Sequence, residues 1–463
     1  MSDKLNFLFF FPDQHRGDWM PYSSEIFKRL GMEDLLLRMP NIKRLMNNGV
    51  TFTNAVTSSP LCAPARACLA SGLRYKNCRV ATNHENYPID LKTYYTALKD
   101  KGYIVASVGK LDLHKHDLFW GLDGWVPELE KMGFTHVIDN EGKWDAVLSV
   151  IRKKDENGKY IKADPEDYQP KGPYMKYLAE NNLLETHIQD FRNRLGNKKM
   201  FNSDPTPLPE ESYCDNWVTN NGIKMLKQFP KHKPWHLVVN FVCPHDPWDI
   251  TRRMKQSWEG VEFPKPFKGN IKSVNEELKV RQNYAAMLEN IDKNIGLFIE
   301  EVRKRGELEN TIIIYSSDHG EMLGDFKRYN KMVPEGGSTK IPLVISGPGI
   351  EKGRYCDTPT ELQDLTSTIV DFAGIKMEEA KDSISLRPLL EGKTVDHRKY
   401  SISAFGGWKM ISDGKYKLIV EKNNKIRLYD LKDDPWENNN IAEDNHQIVD
   451  KLVNELNMEY ENS

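Results

Sequence analysis

"SSPLCAPARACLASG", Ser58 to Gly72, sets a cysteine directly before an Ala-Pro step and an arginine four residues after it. Pro64 suits the first turn of a helix, where its missing N–H has no partner to lose. Ala65 to Ser71 is helix-forming, and Gly72 supplies a stop. Cys62 therefore falls at or just before a helix N-terminus, where partial positive charge favours anions and lowers a thiol pKa. Arg66, one turn further on, points back at the same spot. Val50–Val56 reads as a strand, so the stretch completes a strand–turn–helix unit.

The unit recurs along the chain. Leu5–Phe11, Tyr103–Val108, Trp235–Phe241, Thr311–Ser316 and Ile341–Ser346 read as strands. Pro40–Asn48, Thr93–Lys101 and Leu362–Phe372 read as helices. From Glu276 to Arg305, Tyr284, Met287, Leu288, Ile291, Ile295, Phe298 and Val302 fall at spacings of three and four, the pattern of a long amphipathic helix. Alternation of this kind predicts an α/β fold, a large doubly wound and mostly parallel sheet with helices on both faces. After about Gly374 the pattern changes. "WKMISDGKYKLIV" and "NKIRLYDL" read as antiparallel strands, followed by a helix near Gln447–Met458. The expected division is a catalytic domain over 1–375 and a small C-terminal α+β subdomain with an antiparallel sheet over 376–463. Residues 112–233 have weak periodicity and are expected as long insertions over one face of the sheet.

The bulk numbers narrow the function. With 463 residues, 39% hydrophobic and 29% charged, the chain buries a large core. A net charge of −2 and the absence of a basic block argue against nucleic-acid binding. The six cysteines form no CxxC pair and no zinc spacing, which argues against a disulfide framework. The apolar run Leu5–Phe11 is short for a signal peptide, and no stretch is long enough to cross a membrane. The expectation is a cytoplasmic protein without a membrane partner.

The residues that follow each apolar strand are chemically distinctive. Asp13 and Gln14 follow the first strand. Lys110, Asp112, His114 and His116 follow Tyr103–Val108. His245 and Asp246 follow Trp235–Phe241, and Asp318 and His319 follow Thr311–Ser316. In open α/β sheets the ligand edge lies at the carboxyl ends of the strands. Asp13, Gln14 and Asp318 offer hard oxygen ligands suited to Ca²⁺ or Mg²⁺. Arg66 and Lys110 offer fixed positive charge for an oxyanion, and histidines offer proton transfer near neutral pH. A divalent cation beside fixed cations points to metal-assisted hydrolysis of an ester carrying a tetrahedral anion. Taken singly, each motif also has an ordinary reading as a cap, a turn or a packed thiol.

Together these motifs resemble the type I sulfatases of the alkaline-phosphatase-like superfamily. "CAPAR" matches the Cys-x-Pro-x-Arg signature, and Gly72 lies at the signature's glycine position. "NFLFFFPDQ", "VGKLDLH", "CPHDPW" and "SDHGEMLGD" resemble the family's metal and catalytic motifs, with Lys331 downstream. The resemblance implies that Cys62 is oxidised by a maturation enzyme to formylglycine, whose hydrate attacks sulfur. It implies that Asp13, Gln14, Asp318 and His319, with modified Cys62, hold one divalent cation, Ca²⁺ before Mg²⁺. Arg66, Lys110 and Lys331 would neutralise sulfate oxygens, and His245 would protonate the leaving oxygen. The implied activity is hydrolysis of a sulfate monoester, on a sulfated saccharide or small molecule. Alternatives are a phosphonate monoester or phosphodiester hydrolase with the same apparatus, and a non-catalytic anion-binding homologue. Trp120, Trp125, Trp248 and Arg252 are expected to be exposed and to favour a sugar.

Three positions depart from the family pattern. Gln14 stands where the family has a second Asp, and Arg74 stands one residue late for the signature's arginine. Asp112 stands where a histidine assists release of the sulfated intermediate. His114, on the same side of an extended segment as Asp112, is the expected replacement, with His116 and Asp112 itself as alternatives.

Overall fold

The structure is a computed structural model and describes residues 4–195, 202–270, 274–393 and 396–461. Eight strands build the main sheet: β1 Asn6–Phe10, β2 Gly49–Phe52, β3 Ile104–Gly109, β4 His136–Asp139, β5 Trp235–Asn240, β6 Thr311–Ser316, β7 Leu343–Ser346 and β8 Arg354–Cys356. Their order across the sheet is β8-β2-β7-β6-β1-β5-β3-β4. All neighbours are parallel except β7, which runs against both β2 and β6. The α/β, mostly parallel expectation therefore holds.

β1 shows why its sequence is a continuous apolar run. Phe7 and Phe9 enter one core, Leu8 and Phe10 the other, and all four are fully buried. A parallel strand covered by helices on both faces has no polar side to display. Helix α1 (Pro40–Asn47) and the long α6 (Val274–Lys304) cover the face of Leu8 and Phe10. The anticipated stripe of α6, from Tyr284 to Val302, lies in that core. Helices α2 (Cys62–Ser71), α3 (Tyr94–Asp100) and α7 (Asp364–Phe372) cover the other face.

Four antiparallel strands form the second sheet, β9 Ser401–Phe405, β10 Trp408–Ser412, β11 Tyr416–Glu421 and β12 Ile426–Asp430, in sequential order. Ile402, Ile411, Leu418 and Leu428 on one face pack with Val449, Leu452 and Leu456 of α8 (His446–Leu456). Met410, Ile419 and Tyr429 on the other face pack with Val56 of the main unit. Met377, Ala380, Leu386 and Leu390 join the core that holds Phe9 and Leu365.

Several local expectations are corrected. The strand expected over 50–56 breaks after Phe52 and resumes only at Ala55–Val56. The insertion region carries several helices, with α4 (Lys143–Ile151) and α5 (Cys214–Gln228) among them; residues 196–201 lie outside those described. These helices bury Val147, Val218 and Leu226 against the main core, a tertiary gain invisible to local periodicity. Trp120 and Trp248 are 1% and 0% exposed, so they are core residues and carry no argument for a sugar.

Candidate active site

The site is built where strands end. Helix α2 begins at Cys62, two residues earlier than the Pro64 start expected, with Leu61 as its N-cap. Among the first N–H groups, that of Ala63 donates to Asn83 Oδ1 at 2.9 Å. At the other end Gly72 sits at φ 73°, and a Cβ there would meet Ala380 Cβ at 2.4 Å, so both conformation and space demand glycine. All ten residues of α2 are buried.

Facing Cys62 are the residues after β1 and β6. One ligand atom from each of Asp13, Cys62, Asp318 and His319 lies within 4.8 Å of the others, all four residues buried. His319 Nε2 is 3.3 Å from Cys62 Sγ. Arg66 closes the floor. Its guanidinium donates to Asp318 Oδ2 at 3.0 Å and to Asp13 Oδ2 at 3.3 Å. It also donates to the Lys110 carbonyl at 2.6 Å and to Asn240 Oδ1 at 3.1 Å. Lys110, after β3, pairs with Asp13 and lies 3.3 Å from Asp112 Oδ2.

The second half of the site comes from the loop after β5. His245 Nε2 is 2.7 Å from Lys331 Nζ, and His245 Nδ1 is 2.6 Å from the Asp246 carbonyl. Gln14 is tied to this half. Its carboxamide oxygen accepts from Lys331, and its amide donates to Glu321 and, at 3.5 Å, to Asp246 Oδ1. Its backbone N–H donates to Asp318 Oδ1, in the metal-candidate group, at 2.9 Å. A carboxamide oxygen has two lone pairs, so Lys331 and a cation can share it.

The electrostatics follow from burial opposed by charge. Burial pushes Asp13 up, but Lys110, His245, Arg66 and His319 outweigh it and hold the carboxyl well below the usual range. Burial and Asp13 together push Asp318 up. Burial and Asp13 also push the Cys62 thiol up, yet Lys110, Lys331 and His319 bring it well below the ordinary thiol range. Two buried carboxylates beside an imidazole, with cations folded against them, are a donor set suited to a divalent cation. The residues fit the ion that the sequence implies.

One expectation about geometry fails here. Asp112 adopts φ 56°, so its segment is not extended and the alternation that would put His114 on the same side does not apply. His114 Nε2 faces Glu128 Oε2 at 3.9 Å. Asp112 instead pairs with Lys115 Nζ at 2.8 Å, which in turn lies 3.3 Å from Asp145 Oδ2. The second carboxylate oxygen of Asp112 is buried without a hydrogen-bond partner.

Sequence reading missed Lys115, Asp145, Asn240 and Glu321. An asparagine inside the apolar "HLVVNF" was a usable signal, and Glu321 lay within a quoted motif. Arg74 also gains a meaning. It binds Glu361 at 3.0 Å and the Glu459 carbonyl, far from the catalytic group.

Fold and site define a metal-assisted hydrolase of anionic esters. The Sulfatase family matches residues 27–375, and the family described as N-sulphoglucosamine sulphohydrolase, C-terminal, matches 324–462. The chain belongs to the sulfatase family, enzymes that hydrolyse sulfuric esters. It is 28% identical to a choline-sulfatase of Rhizobium meliloti (strain 1021), covering 98% of this chain and 85% of the relative. It is 25% identical to an arylsulfatase of Clostridium perfringens (strain 13 / Type A), covering 97% and 93%. Among solved structures, a phosphonate monoester hydrolase of Agrobacterium radiobacter superposes with a TM-score of 0.78 at 20% identity, covering 98% and 95%. A protein solved with its substrate D-glucosamine-2-N,6-O-disulfate superposes at 0.75 and 20% identity, covering 100% and 99%. No helix among the described residues is long and apolar enough to cross a membrane.

Proposed function

We propose that this chain hydrolyses sulfate monoesters of saccharides or small alcohols, with Cys62 as the precursor of the nucleophile. The observation that carries the reading is the convergence of Cys62, at a helix N-terminus, with Asp13, Asp318 and His319. Once Cys62 is oxidised to formylglycine by a maturation enzyme, its hydrate supplies the nucleophile, and a divalent cation supplies charge beside it. Asp13, Asp318, His319 and the carboxamide oxygen of Gln14 are the residues to hold that cation, Ca²⁺ before Mg²⁺. Arg66 and Lys110 sit on the carboxylate side of Cys62 and Lys331 on the leaving-group side, so an incoming sulfate is neutralised from both. His245, in contact with Lys331, is positioned to protonate the leaving oxygen.

Release of sulfate needs a proton acceptor. His114 faces Glu128, and we assign the role to Asp112, which contacts Lys110 and keeps one buried oxygen unpartnered. The division into 1–375 and 376–463, and a cytoplasmic location, belong to the same reading.

A second reading keeps the apparatus and changes the ester. Phosphonate monoesters and phosphodiesters carry one negative charge at neutral pH, as sulfate monoesters do, so the cations of the site suit all three. The test is a panel of sulfated mono- and disaccharides, choline sulfate, an aryl sulfate, an aryl phosphodiester and an aryl phosphonate monoester, with the released anion identified. Sulfate release dominating supports the first reading; turnover confined to phosphorus esters overturns it. The peptide containing Cys62 should show the thiol-to-aldehyde mass change in active protein.

A further inference from the structure

A fifth strand end adds to the site. β4 runs to Asp139, whose Oδ1 accepts from the Leu111 N–H at 3.0 Å, and the chain then passes through Gly142 into α4. Gly142 is the N-cap of that helix, and a Cβ there would meet Lys110 Cε at 2.8 Å. Glycine lets the backbone come this close to Lys110. Each of the next three residues finds a different partner. The buried Lys143 ammonium donates to the Pro247 carbonyl and to Asp249 Oδ1 at 2.8 Å each, which fastens this turn to the His245 loop. Trp144 donates its indole N–H to Asp246 Oδ2 at 2.8 Å. Asp145 Oδ2 lies 3.3 Å from Lys115 Nζ.

Trp144 and Asp145 lead to the two groups assigned to proton transfer. The Asp246 carbonyl is 2.6 Å from His245 Nδ1, and Asp246 Oδ1 lies 3.3 Å from the same nitrogen. With Nδ1 held by Asp246, Nε2 is the nitrogen that faces Lys331 and the catalytic group. On the other side Lys115 Nζ donates to Asp112 Oδ2 at 2.8 Å, and Lys110 Nζ lies 3.3 Å from that same oxygen. Both ammoniums sit on Oδ2, which leaves Oδ1 without a partner. An ammonium is a point charge on a flexible stem. Shared between Asp112 and Asp145, that of Lys115 is held in one place. Trp144 and Asp145 are only half-buried, and α4 enters the core chiefly through Ala146, Val147 and Val150.

We propose that the first turn of α4 positions both proton-transfer groups: Trp144 sets His245 through Asp246, and Asp145 sets Asp112 through Lys115. The inference rests on the roles given to His245 and Asp112 above. In the first step the S–O bond to the leaving alcohol breaks, and that oxygen takes a proton from His245. In the second, Asp112 accepts a proton as sulfate is released. One turn of helix holds the acid of the first step and the base of the second against a common frame. The two arms serve different steps, so their losses are separable.

The test uses two variants of the full-length protein. Trp144→Phe removes the indole donor and keeps a ring to pack on Phe191. It should lower kcat/KM about tenfold for an alkyl sulfate. With 4-nitrophenyl sulfate, whose leaving group departs without a proton, kcat/KM should stay near wild type. Asp145→Asn should leave kcat/KM for 4-nitrophenyl sulfate unchanged and lower kcat about tenfold, since kcat/KM covers only the steps through departure of the alcohol. Sulfated enzyme should then accumulate beyond the wild-type level, read by intact mass after a substrate pulse. Asp145→Glu should restore most of the rate. Equal losses in both parameters on both substrates, or a mass spectrum like that of the wild type, overturn the proposal and leave the turn as structural support. If Trp144→Phe lowers the urea midpoint, Asp246→Asn tests the same arm, with the same dependence on leaving group expected. Accumulation in Asp112→Asn but not in Asp145→Asn leaves the proposed function standing and overturns this inference alone. In a wild type that acts only on phosphorus esters, the same partition is read on an alkyl and an aryl phosphodiester. Failure of the sulfate reading is thus seen in the wild type, and failure of this inference in the variants.

Discussion

Two buried charge networks differ in what they leave open. In one, Glu361 accepts from Arg74, Arg398 and the Ile402 N–H. Asp364 accepts from Arg398 at 2.5 Å and from the N–H groups of Glu361 and Ile384 at 2.9 Å each. Two guanidiniums meet two carboxylates, and the Gln363 amide and backbone N–H groups supply the remaining donors. The network joins the start of the C-terminal region to α7 and closes on itself. In the other, Asp13 and Asp318 are contacted by Arg66 and Lys110, while Cys62, His245 and Lys331 add a thiol, an imidazole and a further cation. That set is chemically mixed and stands at strand ends. Buried charge alone does not mark a site; buried charge arranged around a nucleophile does.

The comparison can be broken most sharply at Cys62. Cys62→Ala should cost at least about 10³-fold in turnover, the scale for removing a nucleophile. Its urea midpoint should stay close to that of the wild type. Turnover near wild type would remove Cys62 from the mechanism.

His245→Ala should cost about 10²–10⁴-fold, the range for a general acid. The loss should be smallest with a 4-nitrophenyl leaving group, which departs without a proton. A loss independent of leaving-group pKa would assign His245 to binding.

In the closed network the prediction is the reverse, lost stability with retained catalysis. Glu361→Gln should lower stability by about 3–5 kcal/mol, the cost of stranding partners of a buried ion pair. Turnover per folded molecule should be unchanged. Burial pushes Glu361 up, but Arg398 and Arg74 outweigh it, and its folded pKa lies below 4.5. A depressed carboxylate stabilises fully above its unfolded pKa and loses that contribution as pH falls through its folded value. The gap between wild type and Glu361→Gln should therefore persist at neutral pH and shrink below about pH 4.5. A gap that widens in acid would contradict the assignment.

The smallest effect is expected at Gln14. Gln14→Asp adds a negative charge beside Asp13 and Asp318 and should tighten Ca²⁺ binding by about tenfold, near 1.4 kcal/mol. Calorimetric titration of metal-free protein checks this without turnover. Unchanged affinity would leave Gln14 as a support for Lys331 alone.

The strands, the helices and the strand-end residues were legible because each is a local signal. Apolar runs in β1, β5 and β6 reflect burial on both faces, and Asp13, Lys110, His245 and Asp318 follow such runs directly. Partnership was not legible. Arg74 and Glu361 are 287 residues apart in sequence, and Asp215 reaches Val242 across 27. No local pattern encodes which distant segment supplies a counter-charge. The same holds for the reversed direction of β7, set by pairing with both β2 and β6. It holds again for Asp112, whose positive φ breaks the extended alternation expected to set His114 beside it, and for His114, which faces Glu128. By itself the sequence determined which side chains stand at the catalytic edge, since hydrophobic periodicity places them there. Tertiary structure decided which of them meet, because contact energies depend on separation in space, and the chain returns to one place from points hundreds of residues apart.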